Sequence, residues 1–284
     1  MVPTGGVCHG QQALFDVDVC QRWWQRRPSW RRRSEGGFDA RRYRVVAVDE
    51  TPARGFVEQH HYARSWPSAT LRYGLIEVDA DELVGVAVLG VPMRREVLTL
   101  ALPGLRPYEQ SLECSRLVLL DRVPANAESW FMARVLAHAA GLGVLGVVAF
   151  SDPVPRRTVG GELVMPGHWG CVYQALGAVY TGRGTRRMVT LLPDGTVLSD
   201  RAAQKIRNGE RGHLGVAARL AELGPALPPL PAGRAPGAGW LREALASIGA
   251  RRVRHPGNHR YVWGPTGLAS LPYPKAVDTA LPVG

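Results

Sequence analysis

The stretch from Glu113 to Gly182 constrains the fold most, because apolar strand-like and helix-like segments alternate along it. Two segments, ECSRLVLL (113–120) and GVVAFSD (146–152), have the continuous apolar character of buried strands. Between them the sequence predicts a helix over SWFMARVLAHAAGLG with Asn126 as its N-cap, and after them a short helix in GHWGCVYQALG. This order predicts an α+β fold with a central mixed, partly parallel sheet and helices on its faces.

The flanking sequence adds elements on both sides. Strands are predicted near Arg42 (RYRVVAV), at Leu71–Glu77 and at Glu82–Val91, and a helix from Pro52 into QHHYAR. A further strand is predicted in MVTLL, followed by a basic helical segment over SDRAAQKIRNGERGHLGVAARLAELG. The last predicted elements are a helix, WLREALASIGA, and the basic segment RRVRHPGNHRYVWG, which ends as a strand.

Charge is the second constraint. The 284 residues contain 35 Lys and Arg against 24 Asp and Glu, which gives a net charge of +11. Arginine supplies nearly all of the cations, and it is the side chain best suited to bidentate phosphate contact, so a polyanionic partner is favoured. A high-GC codon bias explains the ratio of arginine to lysine equally well, but it leaves the net excess unexplained.

The sequence also predicts a cellular location. No apolar run reaches the roughly 18 residues that a membrane helix requires, and Asp16 stands where a secretory signal would be apolar. The four cysteines, Cys8, Cys20, Cys114 and Cys171, form no CxxC pair. We therefore expect a protein of the reducing cytoplasm that does not engage a membrane.

Composition shifts divide the chain into four predicted parts. Residues 1–40 form a basic, aromatic N-terminal arm, 41–223 the catalytic domain, and 224–239 a Pro/Gly-rich linker. Residues 240–284 supply a helix and a strand that pack on the core or contact nucleic acid. In the arm, WWQRRPSWRRRSEGG interleaves tryptophan with arginine, which is typical of a segment that follows a nucleic-acid backbone, or equally of a disordered extension.

Tyr173 lies in the stretch YQALG, which follows a predicted strand ending in FSDP and resembles the end of the GNAT (Gcn5-related N-acetyltransferase) fold. In that family the pattern Y-x-x-L-G-F packs beside a thioester cofactor, and its tyrosine can return a proton to the departing thiolate. Here Ala178 replaces the Phe, and DRVPANAES replaces the glycine-rich pyrophosphate loop. Backbone N–H groups at a helix N-terminus also bind anions, so Asn126 and Ser129 are predicted cofactor contacts. Alternatively, Tyr173 only packs its ring.

A narrower resemblance rests on six segments in order: HHYARSWP, ECSRLVLLDRVPANAESWFMAR, GVVAFSDPVPR, GHWGCVYQALGAVYTGR, LPDGTVLSDRAAQKIR and RYVW. Together, from about His60 to Trp263, they resemble the Mom family of phage and prophage DNA-modification proteins, which are built on the GNAT fold. The resemblance implies a carbamoylmethyl-type group placed on the exocyclic amino nitrogen of adenine in double-stranded DNA, which blocks restriction endonucleases. Simple acyl transfer would leave an acetamide, so the donor stays open: acetyl-CoA, or another acyl or aminoacyl donor.

Asp152 is the first candidate for a catalytic carboxylate, with Ser151 beside it. The adenine amino lone pair is delocalised into the ring, so a carboxylate base or hydrogen-bond acceptor should face it. Asp152 follows a predicted buried strand, and ligand crevices form at the carboxyl ends of parallel strands. The alternative is an Asx turn before Pro153.

Arg116 and Ser115 lie on an otherwise apolar predicted strand, and a buried arginine needs a partner. Glu113, nearby on the same strand, offers a salt bridge. The functional alternative is that Arg116 and Ser115 hold a cofactor phosphate, or that Arg116 holds a DNA phosphate, and the alternatives are not exclusive.

Two histidines are further candidates for catalysis. His61, with Tyr62 and Ser65, lies on a loop that GNAT folds place over the acceptor, where Tyr62 and Ser65 can contact an extruded base. His168 opens the helix that bears Tyr173 and is a candidate base or a simple cap. His61, His168 and Asp152 are the residue types of a two-His, one-carboxylate iron or zinc site, although their spacing gives that reading no specific support.

The predicted DNA contacts are cations of the C-terminal third, each of which could equally be a solvated surface charge. They are Lys205, Arg207, Arg211, Arg251, Arg252, Arg254, His255, His259 and Arg260. Chemistry on a base within a duplex requires flipping, so the expected partner is double-stranded DNA with a flipped adenine.

Three functions therefore remain open at this stage. The first is a Mom-like transferase that modifies adenine in DNA. The second is a generic GNAT enzyme that acetylates a protein or small molecule from acetyl-CoA, and the third is a DNA-binding protein with a degenerate catalytic domain. The sequence leaves the oligomeric state open.

Overall fold

A computed structural model describes residues 19–24, 27–32, 38–124, 126–224, 227–231 and 235–274, the first two ranges as backbone only. The described residues belong to two compact units. Unit 1 draws on residues up to 154, on 167–184 and on residues from 258 onward, and unit 2 on 155–166 and 185–257. The side chains of the predicted arm up to residue 37 lie outside the described part of the chain.

Unit 1 contains most of the strands. In chain order its elements are β1 (Val19–Trp24), β2 (Arg27–Arg32), a 3-10 helix (Ala40–Arg42), β3 (Tyr43–Ala47), α1 (Glu50–His60), β4 (Ala69–Glu77), β5 (Glu82–Gly90), α2 (Glu96–Ala101), β6 (Ser111–Leu119), α3 (Ala127–Gly141) and β7 (Gly146–Ser151). Unit 2 opens with the short strands β8 (Arg156–Arg157) and β9 (Leu163–Met165), and the chain returns to unit 1 for α4 (Cys171–Ala175) and β10 (Val179–Arg183).

The remaining elements alternate between the two units in the same way. Unit 2 continues with β11 (Arg187–Leu191), β12 (Val197–Leu198), α5 (Asp200–Asn208), α6 (His213–Ala221), α7 (Gly237–Ser247) and β13 (Arg251–His255). The last strand, β14 (His259–Trp263), belongs to unit 1.

The centre of unit 1 is a seven-stranded sheet in the order β10-β14-β7-β6-β5-β4-β3. Its neighbours are antiparallel, except β6 and β7, which run parallel. A parallel pair needs a crossover, and α3 supplies it. The strands β1 and β2 form a separate antiparallel pair.

Alternating side chains on β5 show how the sheet is covered on both faces. Ala87 and Leu89 belong to the cluster built on α3, whereas Val86 and Val88 pack with α1. Phe131, fully buried in α3, anchors the first cluster, and cutting such a side chain back to alanine typically costs about 3–5 kcal/mol. The predicted α+β fold with a central mixed sheet flanked by helices is confirmed.

Unit 2 has its own core. A three-stranded sheet, β12-β11-β13, accompanies the pair β8-β9, and α5, α6 and α7 meet in a cluster around Ile206, Leu220 and Trp240. The Trp240 indole N–H donates to the Pro228 carbonyl at 2.9 Å, which satisfies the polar end of a buried ring.

Several predicted elements differ in their bounds. The single basic helical segment is two helices, because Gly209 and Gly212 adopt left-handed backbone conformations between α5 and α6. The final basic segment is two strands in two different sheets, β13 and β14. α7 begins at Gly237, inside the predicted linker, and α2 was not predicted.

The division into arm, catalytic domain, linker and C-terminal part stays a prediction. Among the residues that the structure describes, no helix has the length and apolar character needed to cross a membrane.

Candidate active site

The sheet of unit 1 opens between its two parallel strands. β6 and β7 pair from Ser111 and Gly146 as far as Cys114 and Ala149, after which β6 continues to Leu119 and β7 to Ser151 without further pairing to each other in the described sheet. Backbone N–H and C=O groups on the facing edges of this opening can therefore pair with an extended, amide-bearing ligand.

A β-bulge lies at the start of the opening. On the β5 side, Val88 pairs with Arg116 and Leu89 with Cys114, so Ser115 is the extra residue of β6. A bulge bends its strand and increases the local twist, and bulges are over-represented beside active sites. Ser115 thus contributes by turning β6 away from β7, and its hydroxyl makes only a long contact, 3.4 Å, to the Glu113 carbonyl.

Arg116 holds the loop that follows α1. Its Nε and one terminal nitrogen donate to the Ser65 carbonyl at 3.1 and 2.9 Å, and the same nitrogen donates to the Ser65 hydroxyl at 3.0 Å. The other terminal nitrogen donates to the Ser115 carbonyl at 2.6 Å. Of the two sequence alternatives, the close salt bridge to Glu113 is absent from the described ion pairs, although the two groups interact electrostatically. Arg116 positions the loop around Ser65 and Tyr62.

Three ionisable groups at the opening are shifted towards their neutral forms by burial. Burial raises the pKa of Glu113 to about 7, against a lowering effect of Arg116. Burial, with Glu113 nearby, raises the pKa of the Cys114 thiol to about 12. The Tyr173 hydroxyl is hydrogen-bonded to that thiol, and burial, followed by the Cys114 and Tyr62 groups, raises its pKa well above the usual value. Cys114 is therefore a thiol at neutral pH and Tyr173 a proton donor.

Tyr173 is held between aromatic rings of β14. Its ring lies 5.5 Å from that of Tyr261 and 5.4 Å, edge-on, from that of Trp263. The Gln174 amide donates to the Tyr261 hydroxyl at 3.1 Å. Gly170, with φ of +74°, precedes α4, and a Cβ there would lie 2.4 Å from the Tyr261 ring. The backbone that carries Tyr173 thus approaches β14 as closely as glycine permits.

Tyr62, on the loop that follows α1, is in ring contact with two histidines. Tyr62 lies 4.2 Å from His61 and 5.6 Å from His168, centroid to centroid, and its hydroxyl interacts electrostatically with both Arg116 and Tyr173. His61 is buried, and its Nδ1 accepts from the Ala63 N–H at 3.0 Å, which leaves the proton of a neutral ring on Nε2. The predicted pairing of an imidazole with a tyrosine is thus present.

Asp152 directly follows β7 and is 5% exposed. Its Oδ1 accepts from the Val154 N–H at 3.0 Å, which is the Asx turn weighed as the alternative, and its carbonyl accepts from the His168 N–H at 2.6 Å. The turn uses Oδ1 of the carboxylate. Ser151 is 3% exposed, and its hydroxyl has no hydrogen-bond partner among the described residues.

Asn126 and Ser129 lie at the N-terminus of α3, which follows the β6 end of the opening. Asn126 precedes the helix as predicted, but with φ of +72° and without a side-chain capping bond. Asparagine tolerates this left-handed conformation better than most residues other than glycine. The Ser129 hydroxyl is turned back to the Asn126 carbonyl at 3.0 Å.

The predicted DNA contacts separate into different environments. Lys205, Arg207, Arg252 and Arg254 lie in unit 2, the last three of them exposed, whereas Arg260 lies in unit 1. The Arg260 Nε donates to the Thr181 hydroxyl at 2.7 Å, and burial lowers its pKa, so its first role is to tie β14 to β10.

Two histidines in the predicted set of surface cations are not surface residues. His259 is fully buried with its Nδ1 2.8 Å from the Tyr180 hydroxyl, and His255 is 4% exposed. Nothing in the sequence indicates that these histidines are buried, because each lies beside arginines on β13 or β14.

Within the described ranges, no three His, Cys, Asp or Glu side chains form a group that could hold a metal ion. His61, His168 and Asp152 are therefore not such a group. The rings of His61 and His168 both contact Tyr62, and His168 is joined to Asp152 by a backbone hydrogen bond.

Sequence reasoning missed several residues at the opening. Cys114, Tyr261 and Trp263 contact Tyr173, yet they were given no role. The motif segments ECSR and RYVW contained the signal, since Glu113 and Cys114 are polar or titratable residues in a buried run and RYVW repeats large rings on one short strand.

The described sheet is mixed, as the sequence predicts, and it opens between its parallel strands with Tyr173 beside the opening. The sequence model described as the Mom protein family matches residues 42–221. This chain belongs to the Mom protein family.

Two other comparisons complete the picture. Among solved structures, the chain is similar to a protein titled "Tandem GNAT protein from the clavulanic acid biosynthesis pathway (without AcCoA)", with 10% identity and a TM-score of 0.40, over 81% of this chain and 100% of that one. No curated protein matches the chain.

Proposed function

We propose that this protein is a DNA-modifying transferase that adds a carbamoylmethyl-type group to the exocyclic amino group of adenine and so protects DNA from restriction. The observation that carries the proposal is membership of the Mom protein family over residues 42–221, which include β6, β7 and Tyr173 but not β14. The excess of arginine supports a DNA substrate over the small-molecule or protein substrate of a generic acetyltransferase.

The geometry supports a division of the site into two sides. The unpaired backbone edges beyond Cys114 and Ala149, together with the N-terminus of α3, suit an extended donor that ends in an anion, such as acetyl-CoA or another acyl or aminoacyl donor. A bound thioester would supply the activated carbonyl. The stack of Tyr62 and His168 suits a flipped base on the other side.

The residues between these two sides include one proton acceptor, Asp152, and one proton donor, Tyr173. Asp152 accepts a proton or hydrogen bond from the adenine amino group, whose lone pair is withdrawn into the ring. Tyr173, kept protonated by its buried site, returns a proton to the leaving group. Plain acyl transfer would put the carbonyl on the adenine nitrogen, so the carbamoylmethyl product requires a further nitrogen or a rearrangement.

The test is the intact-nucleoside mass of plasmid DNA from cells that express the full chain. We expect an adenine adduct with the wild type and none with Tyr173→Phe or Asp152→Asn. The asparagine retains the oxygen that accepts from Val154, so it removes the charge and keeps the turn. Soluble wild-type protein that produces no adduct in any adenine refutes the proposal.

Two variants control for the loss of a hydroxyl or a charge. Tyr73→Phe removes the hydroxyl of another buried tyrosine of unit 1, away from the opening on β4. Asp194→Asn removes a carboxylate that makes the same kind of turn, to the Thr196 N–H at 2.9 Å. Both should leave the adduct unchanged. Acetylation of a protein or amine together with indifference to DNA would favour the generic acetyltransferase instead.

A further inference from the structure

Unit 2 concentrates the positive charge of the chain. Residues 155–166 and 185–257 hold 14 Lys and Arg against 6 Asp and Glu, a net charge of +8 out of the total of +11. A compact unit with this imbalance has the electrostatic footprint of a nucleic-acid-binding surface. The unit must also present its charge in a defined geometry if it is to do more than attract a polyanion.

The helix α5 provides such a geometry because both of its ends are fixed. The Ser199 hydroxyl accepts from the Ala202 N–H at 3.1 Å and caps the N-terminus. Gly209 ends the helix in the left-handed conformation, and the Glu210 N–H donates to the Lys205 carbonyl at 2.9 Å. With Ala203 and Ile206 buried in the core of unit 2, the opposite face is held rigidly towards solvent.

That opposite face has amides at its centre and cations at its borders. At about 100° per residue, Gln204 and Asn208 lie one turn apart, away from Ala203 and Ile206, and both are exposed. Lys205 borders this amide pair on one side and Arg207 on the other.

The contacts of these side chains leave the face available. The Asn208 amide nitrogen donates to the Glu210 carboxylate at 3.0 Å, which fixes the orientation of the amide. In the part of the chain that the structure describes, the side chains of Gln204 and Arg207 make neither a hydrogen bond nor an ion pair. Glu210 also pairs with Arg201, so it neutralises one cation and holds the amide nitrogen of Asn208.

We propose that α5 enters the major groove of duplex DNA, with Gln204 and Asn208 reading base edges and Lys205 and Arg207 contacting the phosphates on the two sides of the groove. An exposed amide is the side chain that pairs bidentately with the N6 and N7 edge of adenine, and a major groove admits one helix. Flanking cations position such a helix without reading sequence. The inference rests on the proposed action on DNA and assigns α5 the selection of sequence around the target.

The test uses the full chain and a library of duplexes of random sequence, with the bound fraction sequenced. We expect the wild type to enrich a short motif that contains adenine. Gln204→Ala and Asn208→Ala should each lower discrimination at one position by about 5- to 150-fold, the worth of one bidentate contact. Their affinity for random duplex should change little, because neither substitution changes the charge.

Removal of Lys205 or Arg207 should change the affinity for DNA and leave the sequence preference unchanged. Lys205→Ala and Arg207→Ala should weaken binding to all sequences alike and lower the slope of log affinity against log salt by about 0.9 each, without altering the motif. Arg242→Ala, an exposed arginine of α7 in the same unit, is the matched control for loss of one charge and should leave both motif and salt slope close to those of the wild type.

The outcomes separate this inference from the proposed function. A wild type that binds duplexes with no sequence preference, or whose motif survives both alanine variants, overturns the role of α5 even if adenine adducts form. A motif that depends on Gln204 and Asn208 in a protein that makes no adduct supports α5 and overturns the transferase. Tighter binding to single-stranded DNA or to RNA than to duplex would also overturn the groove assignment.

Discussion

Glu113 offers the sharpest test of the electrostatics at the opening. Burial raises its pKa from 4.5 to about 7, so the folded protein binds this proton more tightly than the unfolded chain does. The sign follows from linkage: the free energy of unfolding is highest while the group is protonated in both states. It falls as pH rises through the unfolded pKa and stops falling above the folded one.

The magnitude follows from the shift. A difference of about 2.5 pKa units corresponds to roughly 3 kcal/mol in total, of which some 2–3 kcal/mol falls between pH 5 and 8. Glu113→Gln keeps the shape and removes the titration. The wild type should therefore lose about that much stability relative to the variant across this range, because all other titrating groups cancel in the comparison.

The measurement is urea unfolding of both proteins at half-unit pH steps from 5 to 8. A constant difference would show that Glu113 has the same pKa folded and unfolded. A difference that grows in favour of the wild type at high pH would show that Arg116 holds the carboxylate ionised, and the raised pKa of Glu113 would then be wrong. A nucleoside mass measurement on the same variant shows whether the carboxylate also serves transfer.

Two further predictions concern packing and reactivity. Gly170→Ala should lower the free energy of unfolding, measured in urea, by at least about 2 kcal/mol more than Gly177→Ala does. Both glycines have a left-handed φ, but only at Gly170 would a Cβ meet the Tyr261 ring, at 2.4 Å. Equal losses of stability would show that this close approach relaxes freely. Native protein treated with iodoacetamide at pH 7.5 should be alkylated at Cys171 well before Cys114, because the Cys114 thiol is buried and has a pKa raised to about 12. Peptide mapping that finds Cys114 modified first would contradict the burial of the opening.

The sequence predicts the central strand, helix, strand, helix order because its apolar runs are long and their turns are distinct. It could not reveal that β14 inserts between β7 and β10, since strand order depends on which edges meet in three dimensions. The break between α5 and α6 was readable in principle, because Gly209 and Gly212 bracket a four-residue turn. A basic, strongly helical stretch on both sides concealed it.

The site was predicted in its residues more than in its contacts. Tyr173, His61 and Tyr62 were singled out for residue types suited to chemistry. Tyr62 is in ring contact with His61 and His168, and it interacts electrostatically with Tyr173. The bulge at Ser115 and the end of strand pairing at Cys114 leave no mark in a single sequence, because both depend on how β6 pairs with two strands, β5 and β7, that lie elsewhere in the chain.

Arg116 shows what the end of pairing between β6 and β7 implies for chemistry. Its guanidinium is bonded to neutral oxygens of Ser65 and Ser115 rather than to a close carboxylate, and at neutral pH Glu113 is only partly ionised. Cys114 and Tyr173 are both neutral there. The opening therefore carries a half-buried positive charge that its own side chains compensate incompletely. Such a field stabilises negative charge that develops during transfer, whether on a carbonyl oxygen or on a departing thiolate, and it disfavours a cationic substrate. A DNA amino group, neutral and flanked by phosphates, is compatible with this field, whereas a protonated lysine amine is not.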